Sequence, residues 1–271
     1  MQTIDIEGSS IEYAWFSPKA KESDRPRQPP IVFLHHGFGC VADWKGFPQK
    51  VSDTTGHPAL VYSRLGCGGS SPSPKPHDGN YLHEEARQLL PRLLDALGVD
   101  QCHLYGHSDG ATIALLFASA FPCRSISAVV EAPHVFAEQV TLDGVAAMTE
   151  RLEVDPSLRQ KLARYHSDPV AAFQGWARPW SLPQFRNWTI VGELDKISLP
   201  LLVIQGSADP FGTMEHARLI ARYAGRAVSI LELPASGHNP HIDAEQLTLD
   251  AVAEFLHGVE NDAECSARQD L

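Results

Sequence analysis

The chain has 271 residues, 43% of them apolar, and a formal net charge of −11. That length sustains one large buried core, while an acidic chain with no gathering of Lys and Arg disfavours nucleic acid and anionic membranes as partners. Its apolar runs are too short to cross a bilayer, and the start at Met1 has no basic, apolar leader. Five scattered cysteines without a Cys-x-x-Cys spacing fit neither a disulfide framework nor a zinc site, so a reducing, cytoplasmic setting is expected.

Residues 3–7 and 10–16 alternate in polarity around Gly8 and predict a hairpin, followed by a charged, Pro-rich loop over 19–30. The run 31–35 is continuously apolar up to His35, as in a strand covered on both faces, and residues 59–63, 101–105, 125–130, 201–205 and 228–233 repeat that style. Between them, Leu82, Ala86, Leu89, Leu90, Leu93, Leu94 and Leu97 share one helical face, which Pro91 should bend. Residues 111–121, 213–224 and 244–257 also read as helices. Strands and helices in this alternation predict an α/β protein with a mostly parallel sheet, its crossovers on both faces.

The rhythm stops over residues 133–197, where helical patterns at 142–152, 157–165 and 169–176 follow one another without a buried strand. The expected division is a core of residues 1–132 and 198–260, a helical cap inserted at 133–197, and a polar, frayed tail at 261–271. Trp176, Trp180, Phe185 and Trp188 either line a substrate cavity or hold that small lobe together.

Gly106-His107-Ser108-Asp109-Gly110 lies between an apolar strand and a helical run, the setting in which a sharp turn exposes a serine as nucleophile. A serine hydroxyl needs a base, and the base needs an acid to fix its tautomer. Asp209, in Gly206-Ser207-Ala208-Asp209-Pro210, and His238, in Ser236-Gly237-His238-Asn239-Pro240, follow two later strands. Both therefore fall at carboxyl ends of strands, where open α/β sheets place their sites. Separately, Asp209 reads as a turn residue and His238 as a helix cap; jointly, in the order Ser, Asp, His, they read as a triad. Glu131, ending the preceding strand, is the competing acid.

A tetrahedral intermediate needs two backbone N–H donors, expected from Asp109 and from Phe38 in His36-Gly37-Phe38-Gly39. Phe38, His134, Trp176 and Asp109 are the expected substrate contacts. His238 and His241 have a His-x-x-His spacing with no third ligand near, so neither metal nor cofactor is expected. His35 and His107 are read as structural hydrogen-bonding residues, and Cys40 and Cys67 as small apolar fillers.

These motifs together resemble the α/β-hydrolase superfamily across nearly the whole chain, which implies an eight-stranded sheet flanked by helices, with a cap. Ser108-Asp109-Gly110 and Gly237-His238-Asn239-Pro240-His241 are most similar to the valacyclovir hydrolase group, although His107 stands where that group has Trp and Ala111 where a second Gly is usual. The resemblance implies hydrolysis of small esters through an acyl-enzyme, with Asp109 engaging the ammonium of an α-amino acid ester. Electrostatics adds a reason: a carboxylate about 6 Å from an oxyanion would repel it by about 3 kcal/mol at an effective dielectric near 20 unless a cation intervened. Otherwise Asp109 simply stabilises the first turn of its helix. Two rival readings share the motifs: a hydrolase of carbon–carbon bonds in dienol-type diketones, and a receptor that retains the triad but closes on a small molecule. The oligomeric state has no mark in the sequence.

Overall fold

The computed structural model describes residues 1–19, 28–225 and 227–269, with side chains as far as Asp262, so most of the expected charged loop lies outside the described residues. The hairpin forms from β1 (Gln2–Ile6) and β2 (Ser9–Phe16), turning at Glu7 and Gly8, both at positive φ. Six further strands follow: β3 (Ile31–Leu34), β4 (Ala59–Tyr62), β5 (Cys102–His107), β6 (Ser125–Glu131), β7 (Leu201–Gly206) and β8 (Val228–Leu233). They make one eight-stranded sheet in the order β1-β2-β4-β3-β5-β6-β7-β8, antiparallel at β1, β2 and β4 and parallel from there on.

The continuous apolar runs are explained by burial on both faces. Val32 and Leu34 face one core with Leu60 and Leu104, while Ile31 and Phe33 face the other with Val61 and Tyr105. Helices α1 (Phe47–Thr55) and α11 (Glu245–Gln269) pack on the second face. On the first lies α4 (Asp109–Ala120), buried from Asp109 through Ser119 and accordingly apolar all round after its first turn. The strand 228–233 departs from expectation: β8 is the sheet edge, with Ile230 42% exposed, because no strand lies beyond it.

Pro91 acts as expected, by an identifiable route. It has no N–H to bond the preceding turn, and its ring crowds that turn's carbonyl. The helix α2 (Tyr81–Glu84) therefore widens into a π-type turn over Glu85–Leu89 before α3 (Leu90–Ala96) resumes.

Residues between β6 and β7 supply α5 (Gln139–Val154), α6 (Pro156–Leu162), α7 (Pro169–Ser181) and the short α8 (Val191–Leu194), and no strand of the sheet. This segment leaves and rejoins at one point: Phe136 and Thr189 form an antiparallel bridge, and Ile190 N–H donates to the Val135 carbonyl. The remaining helices are α9 (Glu215–Tyr223) and α10 (Pro240–Asp243). The last helix continues to Gln269, through a segment expected to be a frayed tail. Among the described residues, no helix is long and apolar enough to cross a membrane.

Two glycines set how closely α4 approaches the sheet. A Cβ on Gly106 would collide with the Gly110 carbonyl, and one on Gly110 with the Leu34 carbonyl. Both obstacles are backbone and cannot rotate away, so Gly110→Ala must push α4 from β3. The expected cost is about 1–3 kcal/mol or more, read as a lower urea midpoint; an unchanged midpoint would contradict this packing.

Candidate active site

Ser108 joins β5 to α4 at φ 56° and ψ −118°, a conformation that strains any residue with a Cβ. The turn is held from both sides: Ser108 N–H donates to the Glu131 carbonyl, and its own carbonyl accepts from Ala111 and Thr112 N–H. The hydroxyl faces a cavity of about 330 Å³ between the sheet's carboxyl edge and α5–α7.

His238 Nε2 lies 2.9 Å from Ser108 Oγ, and its Nδ1 donates to both carboxylate oxygens of Asp209 at 2.9 Å. With Nδ1 carrying the proton, Nε2 is free to accept the serine's. Asp209 is fixed by Phe211 N–H at 2.8 Å and by Gln205 Nε2 at 2.9 Å. Burial opposes its charge, but the hydrogen bond and charge of His238 and the Phe211 amide hold its carboxyl down at about 2. The two loops interlock: a Cβ on Gly206 would strike the Ser236 and Gly237 carbonyls, and Ala208 N–H donates to Ser236. His107, expected to be structural, donates from Nε2 to the His238 carbonyl at 2.7 Å.

Glu131, the competing acid, faces a different histidine. Its Oε1 accepts from His241 Nδ1 at 2.7 Å and from the His241 amide, and its Oε2 from Tyr105 at 2.7 Å. The His-x-x-His spacing thus serves two separate acid–histidine pairs. Ligand atoms of His107, Glu131 and His241 lie within 4.8 Å of one another, the only such group among the described residues. Those of Glu131 and His241 are hydrogen-bonded to each other, and His107 is bound to His238 through Nε2.

Of the expected substrate contacts, Phe38, His134 and Trp176 line the cavity, together with Met148, Leu162 and Phe211. Trp180 lines it too, while Phe185 and Trp188 stack at 5.1 Å within the lobe, so the aromatic group divides between both expected roles. Asp109 stands apart from the cavity. Its carboxylate is fully buried, absent from the cavity wall, accepts from Tyr81 OH at 2.7 Å, and stands 3.6 Å from Arg64. A cation from the protein, Arg64, thus stands beside Oδ2, while Oδ1 is buried without a hydrogen-bond partner among the described residues. Asp109 and Phe38 both keep amides suited to an oxyanion: Asp109 begins α4, where N–H groups lack intrahelical acceptors, and Phe38 N–H has no backbone acceptor among the described residues.

Cys40 and Cys67 are buried, and burial pushes their thiols up to about 12 and about 11, which suits inert filler. Sequence reading passed over Arg64 and Tyr81. Arg64 lies two residues beyond β4 at the same carboxyl edge, and that position is the signal that marks it.

Residues 31–251 match the model of the Alpha/beta hydrolase family, and the chain belongs to that family. It is 29% identical over 258 residues to an sn-1-specific diacylglycerol lipase of Mus musculus, covering 84% of this chain and 81% of that protein. A stretch of 101 residues is 27% identical to a proline iminopeptidase of Lactobacillus delbrueckii subsp. lactis; it covers 37% of this chain and 34% of the relative, so the chain spans about a third of that relative's length. In fold, the chain is similar to a proline iminopeptidase of Mycobacterium smegmatis, with a TM-score of 0.73 at 18% identity over 97% of this chain and 99% of that one.

The Glu131–His241 pair carries a pH signature. Burial opposes the charge on Glu131, but His241 and His107, with the hydrogen bonds from His241 and Tyr105, bring its carboxyl from 4.5 to about 2. Burial also opposes charge on His241, and Glu131 outweighs it, raising the imidazole above 6.5. The lowered carboxyl contributes stability above pH 4.5 that is lost as pH falls toward 2; the raised imidazole contributes below pH 6.5 and loses it as pH rises further. Urea unfolding of wild type against Glu131→Gln should therefore differ most between pH 4.5 and 6.5. A difference independent of pH would count against the ion pair.

Proposed function

We propose that this protein is a serine hydrolase that cleaves small carboxylic esters through an acyl-enzyme. The observation that carries the reading is the unbroken line Ser108 Oγ, His238 Nε2, His238 Nδ1, Asp209 at hydrogen-bond distances. Ser108 attacks the ester carbonyl as His238 takes its proton, and the Phe38 and Asp109 amides receive the oxyanion. His238 then returns the proton to the departing alcohol, and a water, activated by the same imidazole, releases the acid. Asp209 stays ionised and steadies the imidazolium. No metal or cofactor takes part in this scheme.

The largely apolar cavity wall fits an uncharged acyl or alcohol group. Of the relatives named above, the diacylglycerol lipase supports the ester class. The α-amino acid ester preference of the valacyclovir hydrolase group is weakened, since Asp109 does not line the cavity and its Oδ2 already faces Arg64 and Tyr81. Free thiols at Cys40, Cys67, Cys102 and Cys123 suit a cytoplasmic setting, and the acidic charge a small-molecule partner rather than nucleic acid.

A panel of chromogenic esters, thioesters and amides, with Ser108→Ala as the blank, tests the reaction. Esters should turn over many times per protein, and Ser108→Ala should lose about 10⁶-fold in kcat. Asp209→Asn, which favours the wrong imidazole tautomer, should lose about 10⁴-fold. A single covalent event without turnover would refute the enzyme reading in favour of a receptor, and turnover confined to a dienol-type diketone would favour carbon–carbon cleavage. An amino acid ester and its N-acetyl form should react at comparable rates; a strong preference for the free amine would restore the ammonium reading.

A further inference from the structure

We infer that Arg64 is a positioning residue that aims the Phe38 oxyanion amide and offsets the charge beside the Asp109 amide, an assignment that rests on the ester-hydrolase reading above. Arg64 is 6% exposed, and its guanidinium reaches three acceptors on two segments. Nη2 donates to the His36 carbonyl at 2.7 Å and to the Gly37 carbonyl at 3.1 Å, and Nη1 lies 3.6 Å from Asp109 Oδ2.

The direction of the Gly37 carbonyl is the decisive point. No peptide in the described chain is cis, and across a trans peptide the C=O and the next N–H point opposite ways. A Gly37 carbonyl drawn toward Arg64 therefore turns the Phe38 N–H away from it, toward the side of the loop that the Ser108 cavity occupies. Gly37 lines both that cavity and a second one of about 410 Å³ that holds Arg64, so the loop is the wall between them. Glycine at 37 leaves this peptide free to flip, and a Cβ there would strike Trp176. Among the described residues, the Gly37 carbonyl accepts from Arg64 Nη2 alone. His35 assists: its Nε2 accepts from the Arg64 amide at 3.0 Å, so Nδ1 carries the proton and donates to the His36 carbonyl at 2.7 Å.

The same guanidinium governs the other donor. Asp109 supplies its N–H to the oxyanion while its carboxylate sits inside the protein, where an unopposed negative charge would repel the intermediate. Arg64 opposes that charge, and Tyr81, itself held by Trp180 Nε1 at 2.9 Å, hydrogen-bonds the same oxygen. One side chain thus aims one oxyanion donor and neutralises the carboxylate of the residue that carries the other.

The test compares wild type with Arg64→Ala and Arg64→Lys on the best ester, counting competent sites by fluorophosphonate titration of Ser108. Arg64→Ala should lower kcat by about 10²-fold with KM unchanged, the loss expected for one oxyanion donor. Its affinity for a boronic acid, which forms a tetrahedral adduct on the serine, should fall in parallel. Lys keeps the charge but not the planar fork, so Arg64→Lys should fall between the two. Because the vacated space opens on the second cavity, added methylguanidinium should restore part of the kcat of Arg64→Ala, which lost packing alone would not permit.

Folded, titratable variants with wild-type kcat and boronic acid affinity overturn the proposal while leaving the hydrolase reading intact. If Arg64→Ala does not fold, Arg64→Lys decides by the same two quantities. Wild type that turns over no ester overturns the hydrolase reading, and this proposal with it.

Discussion

A serine at φ 56° is held against its own preference by the chain around it, and the whole arrangement above the sheet depends on that hold. Gly106 lets the end of β5 meet α4, Gly110 lets α4 press onto β3, and the Glu131 carbonyl ties the turn to β6. Three neighbouring strands therefore converge on one residue. The strain of about 1–3 kcal/mol is modest beside the core that imposes it, since α4 is buried from Asp109 to Ser119.

The charges near that turn are arranged in matched pairs. Asp209 faces His238, Glu131 faces His241, and Asp109 faces Arg64, so each carboxylate taken from water meets a cation or a ring of donors. His107 links two of the pairs: it belongs to the cluster with Glu131 and His241 and donates to the backbone of His238. Burial, outweighing the pull of Glu131, keeps its imidazole well below the ordinary value and so neutral. That neutrality suits a fixed donor, because the proton stays on Nε2 and the His238 loop keeps one position.

Residues with strong local signatures were readable in advance. Ser108 stands in a turn between a strand and a helix, Asp209 and His238 follow strands, and Phe38 lies between glycines, so chain order and spacing pointed to each. Pro91 was readable because its missing N–H acts within its own helix. Glu131 stayed a rival of Asp209 by such arguments, since one ends a strand and the other lies three residues beyond one; the structure distinguishes them by which histidine each one faces. The surroundings of Asp109 were hidden for a related reason. Its need for a cation was a sound inference, but the Arg64 beside it lies 45 positions away, two residues past β4.

By itself, then, the sequence determined the alternation of strands and helices, the turn at Ser108 and the identities of the groups at the sheet's carboxyl edge, because these follow from backbone conformation and local periodicity. The tertiary structure alone decided which acid meets which histidine, that β8 is an edge, that Phe185 and Trp188 stack within the lobe, and that Arg64 braces the loop at Gly37. Those outcomes depend on distances between segments far apart in the chain. A pattern of residues along one strand or helix carries no information about such distances until the sheet order has been set.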